Sequence, residues 1–268
     1  MNEPIEHIMF PLFVPADRPD RIAKALAAGA DAIVIDLEDA VAQTAKVAAR
    51  EGLAAAIKAL PNSSLPILVR VNAAQTYWHE ADLVACAKLP LAAIMLPKAE
   101  TSDQVGTAAR ITGLSVLPLI ESAIGLHAIF DIAHTATRLA FGSIDFAADI
   151  GSVHSRDALL MARTTLVLAS RVAGLPAPID GVSTAIHDAG AVEEDARHGA
   201  SLGFGGKLLI HPAQVGPARR GFAPSESEIA WARKIVSTMA GSGAVAVDGA
   251  MVDAPVLLRA TQILSRIT

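Results

Sequence analysis

The chain is poor in cysteine, in aromatic residues and in long apolar runs, and each shortage closes off a class of protein. With one cysteine, Cys86, there can be no intrachain disulfide, so nothing calls for an oxidising compartment. Cys86 sits in the apolar pattern LVACAKL and reads as a buried structural thiol. Aromatic residues make up only 4%, while apolar residues reach 52%, mostly Ala, Val, Leu and Ile. That mix suits helices packed on a parallel sheet better than a β-sandwich. No apolar run approaches the length of a membrane span, and MNEPIEHIMFPLFV lacks the basic start of a signal peptide. The expectation is a soluble, cytoplasmic protein with no membrane partner. A net charge of −5 argues against nucleic acid as the main partner, because phosphate binding usually needs a basic face, and leaves room for a local basic patch.

What is present is alternation. Short apolar runs at Ile8–Val14, Ala32–Ile35, Ile67–Val71, Ala93–Leu96, Val116–Ile120, Leu139–Phe141, Pro178–Asp180 and Gly205–Ile210 read as strands. Helical stretches separate them: Arg18–Ala28 capped by Asp17, Thr44–Leu60 stopped by Pro61, His79–Lys88, Ser102–Ile111 capped by Ser102, Ile124–Ala136, Ser155–Ala173 and Asp188–Leu202. This rhythm, over 268 residues, is that of a (β/α)8 (TIM) barrel, an α/β fold that needs about 250. No Gly-rich nucleotide turn follows the first strand, which disfavours a doubly wound sheet. The barrel is assigned to residues 1–220. Residues 221–268 form a C-terminal helical extension or lid, with helices at Ser225–Ala240 and Pro255–Ile267 around a Gly241-Ser242-Gly243 break.

In such a barrel the working residues stand at the C-terminal strand ends. Those positions hold Arg18, Asp36, Glu38, Asp39, Arg70, Asn72, Lys98, Glu121, Asp145, Asp180 and His211. Glu121 and Asp145 end neighbouring parallel strands and should sit side by side. Two carboxylates so placed repel unless a cation or proton lies between them. Either a hard divalent ion such as Mg²⁺ holds them, or they form a salt-bridged loop pair with Lys98 or Arg70. Arg70, in the apolar strand LVRVN, either grips an anionic oxygen in the mouth or pairs internally with Asp36 or Glu38. Asp36 directly ends its strand and is a candidate catalytic residue. Glu38 and Asp39 read as helix-capping residues paired with Lys46 and Arg50. Arg18, Arg21 and Lys24 make a small basic cluster that fits phosphates or a solvated helix face.

The ordered pieces FVPADRPDRIAKAL, DAIVIDLEDAV, ILVRVN, IMLPKAE, LIESAIGL, LAFGSIDFAADIG, PIDGV, GFGGKLLIHPAQV and GAMVDAPVLLRA together resemble the citrate lyase β-subunit-like group of the HpcH/HpaI aldolase superfamily. The resemblance implies Mg²⁺ bound by Glu121 and Asp145, with Arg70 holding substrate oxygens. It brings Arg18 and Lys24 to coenzyme A, and makes Asp253 an acid that closes over a neighbouring subunit's site. It implies a homotrimer or hexamer. The implied activity is cleavage or formation of a 3-hydroxyacyl-CoA thioester, such as malyl-CoA or citramalyl-CoA, with a 2-oxo acid as the other product. Neighbouring activities are a citryl-thioester lyase subunit, a malyl-CoA thioesterase and a catalytically silent CoA-binding barrel. Relatives often carry an acid just before the aspartate of the metal motif, where this chain has Ile144.

Overall fold

A computed structural model describes residues 5–60, 65–239, 245–247 and 250–267. Pro61 and the Gly241-Ser242-Gly243 break lie outside the described residues. The elements run β1 (Pro11–Pro15), α1 (Pro19–Ala27), β2 (Ala32–Asp36), α2 (Lys46–Lys58), β3 (Ile67–Arg70), α3 (His79–Cys86), β4 (Ala93–Leu96) and α4 (Ser102–Thr112). Then follow β5 (Ser115–Ile120), α5 (Ala123–His127), α6 (Ile129–Thr135), β6 (Ala140–Phe141), α7 (Ser143–Asp149), α8 (Leu160–Val172), β7 (Ile179–Asp180), α9 (Ala189–Leu202) and β8 (Gly206–Lys207). The chain continues through α10 (Val215–Phe222), α11 (Glu226–Met239), the antiparallel pair β9 (Val245–Val247) and β10 (Ala250–Val252), and α12 (Ala254–Leu264).

Among the described residues, strands β1 to β8 pair in sequence order, and every pair is parallel. The circle closes where the Phe13 N–H donates to the Leu209 carbonyl at 2.8 Å and the Leu209 N–H to the Pro11 carbonyl at 3.0 Å. This is a (β/α)8 barrel. Side chains alternate across each strand. Ala32, Val34, Leu68, Ala93, Met95, Leu117 and Leu119 fill the inside, while Ile33, Ile35, Val69, Ile94 and Val116 pack outward against the helices. Cys86 is fully buried, and that burial pushes its thiol up to about 12, so it is inert at neutral pH.

Several local expectations change. The first helix starts at Pro19, whose ring suits the first helical position, and Asp17 makes no cap. Thr101, not Ser102, caps α4, in a reciprocal box with Gln104. The helix expected over 124–136 breaks at Ala128 into α5 and α6. The expected helix at Ser155 starts only at Leu160. Ser225 and Glu228 do form their capping box. The helices α11 and α12 pack on each other around their own small core of Ala232, Ile235, Met239, Val252, Ala260 and Ile263. Among the described residues no helix is long and apolar enough to cross a membrane.

Candidate active site

The alternation that builds the barrel also aims its polar residues. Asp36 continues the inward row of Ala32 and Val34; Arg70 continues that of Leu68; Glu121 continues that of Leu117 and Leu119. All three, with Asp145, line one cavity of about 430 Å³ at the C-terminal mouth.

Arg70 is held as a fork. Its Nε donates to Asp36 Oδ1 at 2.7 Å and its Nη2 to Asp36 Oδ2 at 2.6 Å. Asp36 is fixed in turn by the backbone N–H groups of Glu38 (2.9 Å) and Ala40 (3.1 Å). The guanidinium lies over the Phe13 ring at 4.9 Å, and its Nη1 stands 3.0 Å from Glu38 Oε2. Burial works against the charge on Arg70, but the Asp36 and Glu38 carboxylates outweigh it and raise its pKa. Glu38 receives Lys98 Nζ at 2.6 Å. The expected partners of Glu38 and Asp39 are engaged elsewhere. Lys46 caps the carbonyls of Leu37 and Glu38, and Arg50 pairs with Asp82.

Glu121 is the least compensated acid. Its Oε1 accepts the Lys98 N–H at 2.7 Å, at a residue held in the left-handed region with φ 48°. Among the described residues its Oε2 accepts no hydrogen bond, and the Asp145 side chain has no hydrogen-bond or ion-pair partner. Gly142 packs directly on Glu121, where any Cβ would collide with Oε2, so the close approach requires glycine. Burial, then the nearby Glu38 and Asp145 carboxylates, push Glu121 up to about 8. Neither Lys98 nor Arg70 forms an ion pair with Glu121 or Asp145 among the described residues, so the salt-bridged loop reading is not realised. Asp145 does not end a strand as expected; it lies in the first turn of α7, which follows the two-residue β6 at once.

Two carboxylates with open oxygens on one cavity fit a hard cation. Among the described residues no group of three or more His, Cys, Asp or Glu is arranged to hold a metal. An ion here would take two protein carboxylates and complete its shell with water or ligand oxygens, as Mg²⁺ commonly does.

A second cavity of about 410 Å³ adjoins the mouth, and Phe13, Pro15, Arg21 and Ile210 line both. Arg18 and Lys24 line it too, with Arg18 paired to Asp20 at 3.0 Å. Arg21, the middle member of the basic cluster expected from the sequence, stands at the junction of the two cavities. Asp253 is elsewhere. It caps α12, with Oδ1 accepting from the Val256 N–H at 3.4 Å, and lines neither cavity. Three strand-end candidates also leave the mouth. Asn72 bonds Asp82, and His211 caps a short turn. Asp180 follows inward-facing Ile179 and therefore points outward, to Arg163 on α8.

A closed barrel with an open carboxylate pair, a locked arginine and an adjoining basic cleft is an arrangement that suits a divalent cation and an anionic small molecule. The chain belongs to the HpcH/HpaI aldolase/citrate lyase family, whose model matches residues 9–212. It is 37% identical over 265 residues to a citrate lyase subunit beta-like protein of Mycobacterium tuberculosis, covering 95% of this chain and 94% of the relative. It is 34% identical over 265 residues to a (3S)-malyl-CoA thioesterase of Cereibacter sphaeroides, covering 95% and 93%. The solved structure of CitE from Mycobacterium tuberculosis, in complex with magnesium, acetoacetate and coenzyme A, superposes with a TM-score of 0.87 at 35% identity, over 98% of this chain and 99% of that one.

Proposed function

We propose that this chain is a Mg²⁺-dependent carbon–carbon lyase of the oxo-acid-lyase type, cleaving or forming a 3-hydroxyacyl-CoA thioester such as malyl-CoA or citramalyl-CoA. The products would be an acyl-CoA and a 2-oxo acid. The observation that carries the reading is the open pair Glu121 and Asp145 on the same cavity as the locked Arg70. The magnesium in the CitE structure supports the ion, and its coenzyme A supports the thioester.

Glu121 and Asp145 would hold Mg²⁺. When bound, the ion would act as Lewis acid and template for the hydroxyl and carboxylate oxygens of the substrate. Arg70 would face the thioester enolate left by cleavage. Asp36 and Glu38 leave N–H groups on its five-donor fork for that oxygen, and Asp36 fixes the angle. Asp36 thus serves the reaction by positioning Arg70. Arg18 and Lys24 would draw the CoA phosphates into the cleft beside the mouth. Asp253 would pass a proton to the enolate carbon, or take one in the reverse direction. Because it lines neither cavity of its own chain, it would come from a second copy in a homotrimer or hexamer. The exposed apolar row Met161, Leu168 and Val172 on α8 supports assembly.

The (3S)-malyl-CoA thioesterase relative favours a second reading, hydrolysis of the same thioester to malate and free CoA. A panel of 3-hydroxyacyl-CoA esters, with and without Mg²⁺, separates the two. The lyase reading expects a 2-oxo acid and an acyl-CoA in equal amounts, only with the metal. Free CoA with no 2-oxo acid would replace it with hydrolysis, and inertness across the panel would leave a CoA-binding barrel. Activity only on a carrier-protein thioester in a multi-protein complex would assign the chain to a citrate lyase.

A further inference from the structure

Beside the mouth, behind β7, lies a third cavity of about 270 Å³ that none of this chemistry uses. It is walled by the loop before α8, the loop after β7 and the first half of α9. Its deepest charged member is Arg163, whose side chain is only 2% exposed. Arg163 Nε donates to Asp180 Oδ1 at 3.0 Å. Asp180 is fully buried and also lies 3.4 Å from Lys207 Nζ, which reaches on to the Gly181 carbonyl and to Asp195 Oδ2, each at 2.7 Å. Two acids and two bases therefore cancel, and their structural role is plain: they tie β7 and β8 to α8 and α9.

The donor count does not close. Among the described residues neither Nη group of Arg163 donates a hydrogen bond. Nor is either among the buried side-chain atoms sealed from solvent without a partner, which are Glu38 Oε2, Ser170 Oγ and His198 Nε2. Each therefore keeps some accessible surface, and Arg163 lines the cavity, while its guanidinium carbon lies 5.7 Å from the centre of the Phe141 ring. The Ser183 and Thr184 hydroxyls line the same space and also make no hydrogen bond there, and Arg156 stands at the rim, 3.9 Å from Glu194. The lining acid, Asp195, is already taken by Lys207. Nearly everything left in the wall is a donor, and nearly buried N–H groups without acceptors are costly. The space is far larger than the roughly 30 Å³ share of one water. A guanidinium with both Nη groups free, flanked by two hydroxyls, matches an acceptor-only group with oxygens spaced to meet the fork.

We propose that this cavity binds one small oxyanion, a carboxylate or a phosphate, on Arg163, Ser183 and Thr184, at a site separate from the mouth. The wall between the two is thin. Val182 faces the mouth and Ser183 faces the side cavity. Ser143, which lines the mouth, bonds His154 Nε2 of the side cavity at 3.0 Å, and Gly181 packs against Ser143 so closely that a Cβ would collide with its hydroxyl. Through His154, which lines the same cavity as Arg163, the site reaches the first turn of α7, which carries Asp145.

Calorimetric titration of the Mg²⁺-free full chain with inorganic phosphate and, separately, with acetate, at matched chloride, tests the site. The expected result is saturable binding of at least one of the two at one per chain, and the tighter one identifies the anion. Ser183→Ala combined with Thr184→Val leaves the Arg163–Asp180 pair intact and should weaken binding roughly tenfold. Arg18→Ala with Lys24→Ala should leave it unchanged. No saturable binding by either anion would overturn the proposal. So would binding lost in the Arg18/Lys24 variant and kept in the Ser183/Thr184 variant, which would move the anion to the basic cleft.

Discussion

At the mouth, Asp36, Glu38, Asp39, Glu121 and Asp145 face Arg21, Arg70 and Lys98; on the outer face of the same sheet, Asp180 and Asp195 face Arg163 and Lys207. The first cluster has acid to spare and the second is balanced. On the strands the difference comes from parity, since inward positions reach the mouth and outward ones meet the helices, while Asp145 reaches the mouth from the first turn of α7. It teaches how to tell a working cluster from a bracing one. An excess of like charge, kept open to a cavity, calls for a cation from outside. A balanced buried set holds the fold together, and its spare capacity shows only when donors are counted.

Exchanging an acid for its amide in each cluster should break the comparison most sharply. Glu121→Gln should lower metal-dependent turnover by about 10³-fold or more, judging from the loss of one group that fixes transition-state charge. It should not lower the stability of the metal-free chain, because it removes a carboxyl whose charge is disfavoured by burial. Asp180→Asn should do the reverse. Burial disfavours the charge on Asp180, but Lys207 and Arg163 hold its pKa below the usual carboxylate range. Leaving those cations poorly paired should cost about 3–5 kcal/mol in urea unfolding. Equal effects of the two substitutions on stability would erase the distinction.

Arg70→Lys is milder. It keeps the charge but loses the two-pronged grip on Asp36, so turnover should fall about 10²-fold with little change in substrate affinity. The pH response has a definite sign. A glutamate titrates near 4.3 when unfolded, whereas Glu121 in the fold is pushed up to about 8. The folded state therefore binds this proton more tightly. That contribution is full below the unfolded value and is lost as pH rises from about 4.3 toward about 8. Melting of the metal-free chain should decline over that window, and Glu121→Gln or added Mg²⁺ should flatten the decline.

Much of this was legible in the residues. Short Val/Ile/Leu runs between helical stretches marked all eight barrel strands, and the acids and arginine at their ends marked the mouth. What could not be read was which face the last residue of a short strand takes. Asp180 and Asp36 look alike in sequence, each an acid after an apolar run. Only the register against neighbours sends Asp36 in and Asp180 out. The Arg163–Asp180–Lys207 cluster was missed because its members lie 17 and 27 residues apart on different elements. Its faint signal was a lysine inside an apolar strand run and an arginine inside an apolar helix. Asp145 was placed beside Glu121 for the right reason, parallel neighbouring strands, though Gly142 turns the chain straight into a helix there.

The central claim is that the acid excess at the mouth exists to hold a divalent cation. Titration of Mg²⁺ into the metal-free chain near pH 8, followed by calorimetry, tests it most directly. One ion should bind per chain, and Glu121→Gln and Asp145→Asn should each abolish that binding while Asp180→Asn, in whatever fraction stays folded, retains it. Binding of Mg²⁺ that survives both mouth substitutions, or no binding by the unaltered chain, would contradict the account.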